Sequence, residues 1–366
     1  MGLLDYYKQF EAMSEEEVNE TLREEAAERR RKALTRVDVL DLSQTTWPEL
    51  PHPRIVNAIT FVARRGLHQY PHLRGTELRN LLAERHGVEP ERLVLGNGAA
   101  ELLSAATRAL ISPGQQLLTR WPSYPLYPLM ARRAHGQAVR IEGGVDTLLE
   151  AAQSADVRAI VLASPDDPSG ELFATGELER LLTGLPEGVA VLLDEALVDF
   201  ADAQPGDSSI ALLEEHPRLL VFRSFSKAWG LAGLRIGYVI GGPGSGELLA
   251  ELEPDLGVSE LSQAGAFEAL RSCSAIVAKR VAAIHKERPR VTAALREMGF
   301  EVSDSQANFV WAAHPAVSGS ELAARLAQTG VLIAAGDALG EPQHVRIALR
   351  SERASNRLLE AIGKSI

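Results

Sequence analysis

A chain of 366 residues with 45% apolar side chains is long enough for two packed domains, because a single core stops growing near about 250–300 residues. Its net charge of −11 argues against a polyanion-binding surface, and no Lys/Arg block interleaves with aromatics, so nucleic acid is not an expected partner. The one cysteine, Cys273, excludes a disulfide within one chain and any Cys-rich metal site, which suits a reducing cytoplasm; no metal is expected.

Met1-Gly2-Leu3-Leu4-Asp5 lacks the basic and apolar regions of a signal peptide, and no apolar run approaches about 18 residues, so neither secretion by that route nor a membrane span is expected. Residues 14–34 run from Ser14-Glu15-Glu16-Glu17 to Arg29-Arg30-Arg31-Lys32. This acid-first, base-last polarity complements a helix dipole and predicts a solvated surface helix. From residue 38 short apolar strands alternate with helical patterns. The strands are Leu93–Gly96, Gln116–Thr119, Arg158–Ala163, Val189–Leu193, Leu219–Phe222 and Gly237–Ile240, and helices such as Ala100–Leu110 and Glu177–Leu182 lie between them. That alternation predicts an α/β fold with a mainly parallel central sheet covered on both faces. Gly241-Gly242-Pro243-Gly244-Ser245-Gly246 suits neither element and predicts a boundary. Beyond it come a helical stretch over 260–298, a strand at 307–311, a helix at 319–328, strands near 331–334 and 344–349, and a helix at 353–363. The expected organisation is an N-terminal helical arm (1–37), a large domain (38–246) and a smaller α+β domain (247–366).

The segment with most chemistry is Ser224-Phe225-Ser226-Lys227-Ala228-Trp229-Gly230-Leu231-Ala232-Gly233-Leu234-Arg235-Ile236-Gly237. One lysine stands there among hydroxyls, glycines and an arginine. Its amine can form an imine with a phosphorylated aldehyde, while Ser224, Ser226 and Arg235 share the charge of the phosphate. Taken alone, such a segment is more often a solvated turn after a strand. Lys227 comes 33 residues after Asp194, which ends the run Val189-Ala190-Val191-Leu192-Leu193. A carboxylate at the end of a buried parallel strand either points into a ligand crevice, where it can pair with a protonated pyridine nitrogen, or caps the next helix. In Leu95-Gly96-Asn97-Gly98-Ala99-Ala100 a strand runs into a helix whose free N–H groups can bind phosphate, with Ala99 and Ala100 offering only main chain.

The lysine segment resembles that of the fold-type I, pyridoxal-phosphate-dependent aminotransferases of class I/II, especially the histidinol-phosphate aminotransferase branch. The resemblance implies the order Asp194 then Lys227, the phosphate-binding role of Gly98, Ala99 and Ala100, and pyridoxal 5'-phosphate as cofactor. It implies that Tyr124, in Trp121-Pro122-Ser123-Tyr124, stacks on the cofactor ring, and that Tyr70 reaches across a homodimer to the neighbour's phosphate. Arg346, in His344-Val345-Arg346-Ile347, is the residue expected to grip the substrate carboxylate, a task that suits a planar guanidinium, and Asn308 lines the same side.

Three positions depart from the family. Pro165-Asp166-Asp167-Pro168-Ser169-Gly170 replaces the usual amide with Asp167, and Leu197 stands where a tyrosine is common. An ionised carboxylate and a leucine cannot donate to the cofactor's phenolic oxygen, so the imine is expected to stay protonated to higher pH than in a typical relative, the alternatives being that Asp167 is protonated and donates or that it faces a basic substrate group. Gly330-Val331-Leu332-Ile333-Ala334-Ala335 lacks the arginine that binds substrate phosphate, and Thr45-Thr46-Trp47-Pro48, with Trp47 on the substrate side, replaces an Asn-Glu-Asn-Pro pattern. The expectation is therefore a dimeric, cytoplasmic aminotransferase acting between an amino acid and a 2-oxo acid, with an apolar or cationic donor rather than histidinol phosphate. Lys227, Asp194 and Tyr124 would be its catalytic residues. The alternatives are a decarboxylase or lyase of the same fold, as in the threonine-phosphate decarboxylases, and a non-catalytic cofactor-binding relative.

Overall fold

The computed structural model describes residues 39–366 together with Arg23 and Glu24, both helical. Apart from those two, the helix expected over 14–34 lies outside the described residues. The described part contains thirteen strands: β1 (Leu40–Asp41), β2 (Leu93–Gly96), β3 (Gln116–Arg120), β4 (Gln137–Ile141), β5 (Val157–Ala163), β6 (Ala190–Asp194), β7 (Leu219–Ser224), β8 (Gly237–Gly241), β9 (Glu301–Val302), β10 (Phe309–Ala313), β11 (Val331–Leu332), β12 (Ala334–Ala335) and β13 (His344–Ala348).

Seven of them form one sheet in the order β2-β8-β7-β6-β5-β3-β4. Strands β4, β3, β5, β6 and β7 are parallel, and β8 runs antiparallel to both its neighbours. The central strands are mostly apolar because both faces are covered. Alternate residues serve opposite layers. Ile160, Leu162, Val191, Leu193, Leu219 and Val221 join the core that holds Leu178 and Leu181 of helix Thr175–Gly184. Ala159, Val161, Leu192, Leu220 and Phe222 join the core beneath helix Ala99–Leu110, with Leu249 and Leu252 of helix Gly246–Leu252.

A second sheet, β12-β13-β10-β9, is antiparallel, and β1 pairs with β11 in parallel. The fold is thus α/β with a mostly parallel central sheet plus a small antiparallel sheet. Strands β1 and β9, two residues each, have no counterpart among the expected strands, and four other details differ from expectation. Strand β4 has no counterpart among the predicted strands, since its edge position leaves Gln137 and Arg140 exposed and breaks the apolar run. The strand near 331–334 is two strands in different sheets, divided at Ile333. The 260–298 stretch is two helices, Glu260–Ser272 and Ser274–Glu297, separated at Cys273, whose φ of −120° and ψ of 8° leave the helical region. The strand expected from 307 begins at Phe309. No helix among the described residues is long and apolar enough to cross a membrane.

Candidate active site

The parallel strands end on one edge of the large sheet, and the segments leaving that edge carry the candidate residues. Tyr124 follows β3, Asp166 and Asp167 follow β5, Asp194 ends β6, and Lys227 follows β7. The N-terminus of the helix after β2, Ala99–Leu110, starts at the same edge. From the other side, residues 42–47 cross over after β1: Leu42 N–H donates to Leu332 O at 2.7 Å and Leu42 O accepts from Ala348 N–H at 2.9 Å. This brings Thr45 and β13 to the sheet edge.

Lys227 Nζ donates to Thr45 Oγ1. Burial lowers the pKa of the Lys227 amine, while Asp167 and Asp194 oppose that shift and Arg346 and Arg235 add to it. A lowered amine holds more of the neutral, nucleophilic form. Asp194 accepts from Tyr127 Oη at 3.0 Å and from the Ala196 N–H at 3.0 Å. Burial pushes its carboxyl up, and those two donors together with Lys227 pull it back. Its neighbour Glu195 faces away, into an ion pair with Arg223 at 2.8 Å, so strand alternation leaves Asp194 as the acid turned to the site.

Arg235 has a left-handed backbone with φ of 49°. Its guanidinium donates to Ser226 Oγ at 3.5 Å, Ala232 O at 3.1 Å and Asn97 O at 3.3 Å. Gly98 has φ of +94°, and a Cβ built there would overlap the Arg235 guanidinium. The glycine is therefore required twice, by conformation and by close approach. The amides of Ala99 and Ala100 open the helix after Gly98, where no intrahelical acceptor exists. Ser224 Oγ accepts from Ser226 N–H at 3.0 Å.

On the opposite side Arg346 forms an ion pair with Asp167, and its Nη2 donates to Ser43 O at 3.3 Å. Asn308 is 2% exposed and donates to Thr45 O at 2.9 Å, while its own Oδ1 is buried without a partner. Tyr124 stands edge-on to Tyr127, centroids 5.8 Å apart, and its hydroxyl is pushed up by burial and by Asp167 and Asp194. Lys227, Asp194, Tyr124, Asp167, Arg346 and Arg235 thus share one electrostatic neighbourhood. Trp47 lies differently: its ring stacks under the Arg280 guanidinium at 5.1 Å, and its N–H donates to Glu49 at 3.2 Å. Tyr70 is 81% exposed and joins none of the hydrogen bonds of this group among the described residues. Leu197 is buried in the core, and the strand register sets Ala334 opposite Arg346.

Thr45, Tyr127 and Ser43 were assigned no role from sequence. Tyr127 carried a usable signal, a second tyrosine three residues after Tyr124. Thr45 and Ser43 carried none, because the contacts that tie them to Lys227, Asn308 and Arg346 are with residues about half a chain or more away.

The donor set fits pyridoxal phosphate. A glycine cradle, open helix amides, Ser226 and Arg235 suit a phosphate. The Asp194 carboxyl, buried and held by Tyr127, suits a cationic ring nitrogen, and the Lys227 amine suits an aldehyde. Asn308 Oδ1, buried without a partner, leaves one acceptor that the chain itself does not satisfy.

Residues 37–362 match the family Aminotransferase class I and II. The chain is 34% identical over 305 residues to the histidinol-phosphate aminotransferase of an Anaeromyxobacter species, spanning 81% of this chain and 83% of that protein. It is 32% identical over 335 residues to the aromatic amino acid aminotransferase of Corynebacterium efficiens, spanning 88% and 92%. Its fold is similar to the crystal structure of histidinol-phosphate aminotransferase from Sinorhizobium meliloti in complex with pyridoxal-5'-phosphate, with a TM-score of 0.79 at 24% identity and coverage of 89% and 91%. Aspartate aminotransferase from Thermus thermophilus with maleate gives a TM-score of 0.81 at 21% identity and coverage of 94% and 96%.

Proposed function

The chain belongs to the class I and II aminotransferase family, and from that premise we propose that it takes amino groups from an aromatic or other apolar amino acid, with Lys227 carrying the proton. It is a pyridoxal-phosphate-dependent transaminase, working between an amino acid and a 2-oxo acid. When bound, pyridoxal phosphate supplies an electron sink for charge that develops at the substrate α-carbon.

The observation that carries the assignment of roles is the buried Lys227 amine, held by Thr45 with Asp194 and the Asp167–Arg346 pair as its charged neighbours. Lys227 would take the proton from the substrate α-carbon as a general base and hold it for return as a general acid. Asp194, oriented by Tyr127, keeps a proton on the ring nitrogen. Arg346 turns the substrate so that the α-carbon faces Lys227, and Gly98, Ser226 and Arg235 hold the phosphate. The apolar donor is supported by Ala334, which sets no cation beside Arg346, and by relatives named aromatic amino acid aminotransferase.

The active unit in this reading is a homodimer in the cytoplasm. Val56, Phe61, Leu67, Tyr70 and Leu73 are 46%, 59%, 71%, 81% and 59% exposed. They all fall within one short stretch, the helix Pro53–Gly66 and the segment after it. Apolar side chains concentrated in this way suit burial against a second copy, with Tyr70 placed to reach the neighbour's site.

The test is a single-turnover assay of the holoenzyme against a panel of amino acids, with the keto acid quantified per bound cofactor. Stoichiometric phenylpyruvate from phenylalanine and none of the corresponding product from histidinol phosphate is the expected result. Release of carbon dioxide instead would overturn the transamination assignment.

A further inference from the structure

We propose that Asp167 is a specificity residue that receives the ammonium group of the amino donor when the donor's carboxylate takes Arg346, so that the site recognises the zwitterion rather than a carboxylate alone. This rests on Arg346 being the carboxylate-binding group of the proposed transaminase.

Arg346 is not waiting empty for a carboxylate. It is already paired with one of the chain's own, and the two side chains are only 12% and 11% exposed. Its Nη2 is held by Ser43 O, and its Nε is buried without a partner. A substrate carboxylate can therefore bind Arg346 only in competition with Asp167. Once displaced, Asp167 would remain buried near two other carboxyls, Asp166 and Asp194, which share its electrostatic neighbourhood. The other cation near it, Lys227, is fixed in place by its bond to the cofactor and cannot move to take the place of Arg346. A buried carboxylate that loses its partner is strongly disfavoured, more so than an exchange of one partner for another.

An α-amino acid solves this with one molecule. Its ammonium and carboxylate sit on the same carbon, so a carboxylate seated on Arg346 carries a cation to the Asp167 it has displaced. The pairing changes from Asp167–Arg346 to Asp167–ammonium and carboxylate–Arg346, with no charge left uncovered. A simple carboxylic acid brings the anion without the cation and strands Asp167. The 2-oxo acid of the second half-reaction is not penalised in the same way, because the transferred amino group is in the site when it arrives. An uncharged amide of the same shape at position 167 would leave Arg346 open to any carboxylate, which is selection by a repulsive element as much as by an attractive one.

The test uses holoenzyme whose cofactor has been fixed to Lys227 by borohydride reduction, so that ligands bind without reacting. Phenylalanine and 3-phenylpropanoate, which differ by the ammonium group, are titrated by calorimetry into the wild type, Asp167→Asn and Arg346→Gln. Retained cofactor absorbance shows that each variant is folded and loaded. The wild type is expected to prefer phenylalanine by about tenfold or more, the span of one well-made charged contact. In Asp167→Asn the preference is expected to vanish, chiefly through about tenfold tighter 3-phenylpropanoate. If 3-phenylpropanoate binds Asp167→Asn no better than wild type while Arg346→Gln abolishes binding of both ligands, the inference falls and the role of Arg346 stands. If Arg346→Gln leaves both affinities unchanged, the role of Arg346 and the inference fall together.

Discussion

The amine of Lys227 and the hydroxyl of Thr45 are joined by a hydrogen bond across 182 residues of sequence, which ties the lysine to the segment that arrives from β1. Thr45 is 4% exposed, and its carbonyl in turn accepts from Asn308. The lysine's position is therefore fixed from the small-sheet side as well as by its own strand. Thr45→Val is expected to lower kcat by about tenfold, the order of one lost hydrogen bond to a charged group, with KM changed far less. Thr45→Ser should recover most of the loss. Equal losses in Val and Ser variants would mean that the hydroxyl does not position the amine.

Asp194 shows the same dependence on a partner. Burial and the nearby Asp194 and Asp166 carboxyls push the Tyr127 hydroxyl well above its ordinary value, so it stays protonated as a donor to Asp194. Tyr127→Phe is expected to weaken cofactor binding by roughly tenfold, read as the dissociation constant in equilibrium dialysis. Asp194→Asn should lower turnover by about 10²–10³-fold, the range for loss of one preorganised electrostatic partner.

Gly98 makes a sharper structural prediction. Its backbone lies at φ of +94°, and a side chain would overlap Arg235. Gly98→Ala should therefore displace the guanidinium from the phosphate side while the rest of the fold persists, with a strain of about 1–3 kcal/mol. Cofactor release in dialysis should accelerate, and the far-ultraviolet dichroism should not change.

Asp166 sets a pH dependence. Burial raises its carboxyl from 3.8 to about 6, against the hydrogen bonds from Ser169 and Ser123. The folded chain then holds a proton that the unfolded chain releases between those two values. Stability from this group is lowest above about pH 6, where both states are ionised, and grows as pH falls toward 3.8. With 1.36 kcal/mol per unit, the full span is on the order of 3 kcal/mol. Asp166→Asn should remove that component. Urea unfolding of both proteins from pH 4 to pH 8 should show the wild type losing ground to the variant as pH rises, and parallel curves would count against it.

The exposed face of helix Pro53–Gly66 and the residues after it give a prediction about assembly. Phe61→Asp combined with Leu67→Asp places two charges on side chains that are 59% and 71% exposed. A monomer should still fold, because these side chains contribute little to the chain's own core. Sedimentation should show dimeric wild type and a monomeric variant, and activity should fall with the dimer if Tyr70 serves the neighbouring site.

Much of the site was legible because its signals are local. Lys227 stands among Ser224, Ser226 and Arg235 within twelve residues, and Asp194 ends an uninterrupted apolar strand. Central parallel strands must be apolar throughout, so their carboxyl ends can be read from where the apolar run stops. Strand β4 escaped that logic because an edge strand is only partly covered, and the break at Cys273 escaped it because both flanking helices keep a helical pattern.

By itself the sequence determined the alternation of strands and helices, the edge at which the candidate groups gather, and the chemical type of each group. Tertiary structure alone decided which groups touch. Asp167 and Arg346 are 179 residues apart and differ in no local feature from an unpaired acid and an unpaired arginine. Thr45 meets Lys227 only because β1 joins β11 and carries the chain across to the sheet edge. Local patterns follow from the periodicity of a helix or a strand, which a few residues fix. Contacts between distant residues depend on how whole elements pack, and the free energy that selects that packing is spread over both cores rather than written at the residues it brings together.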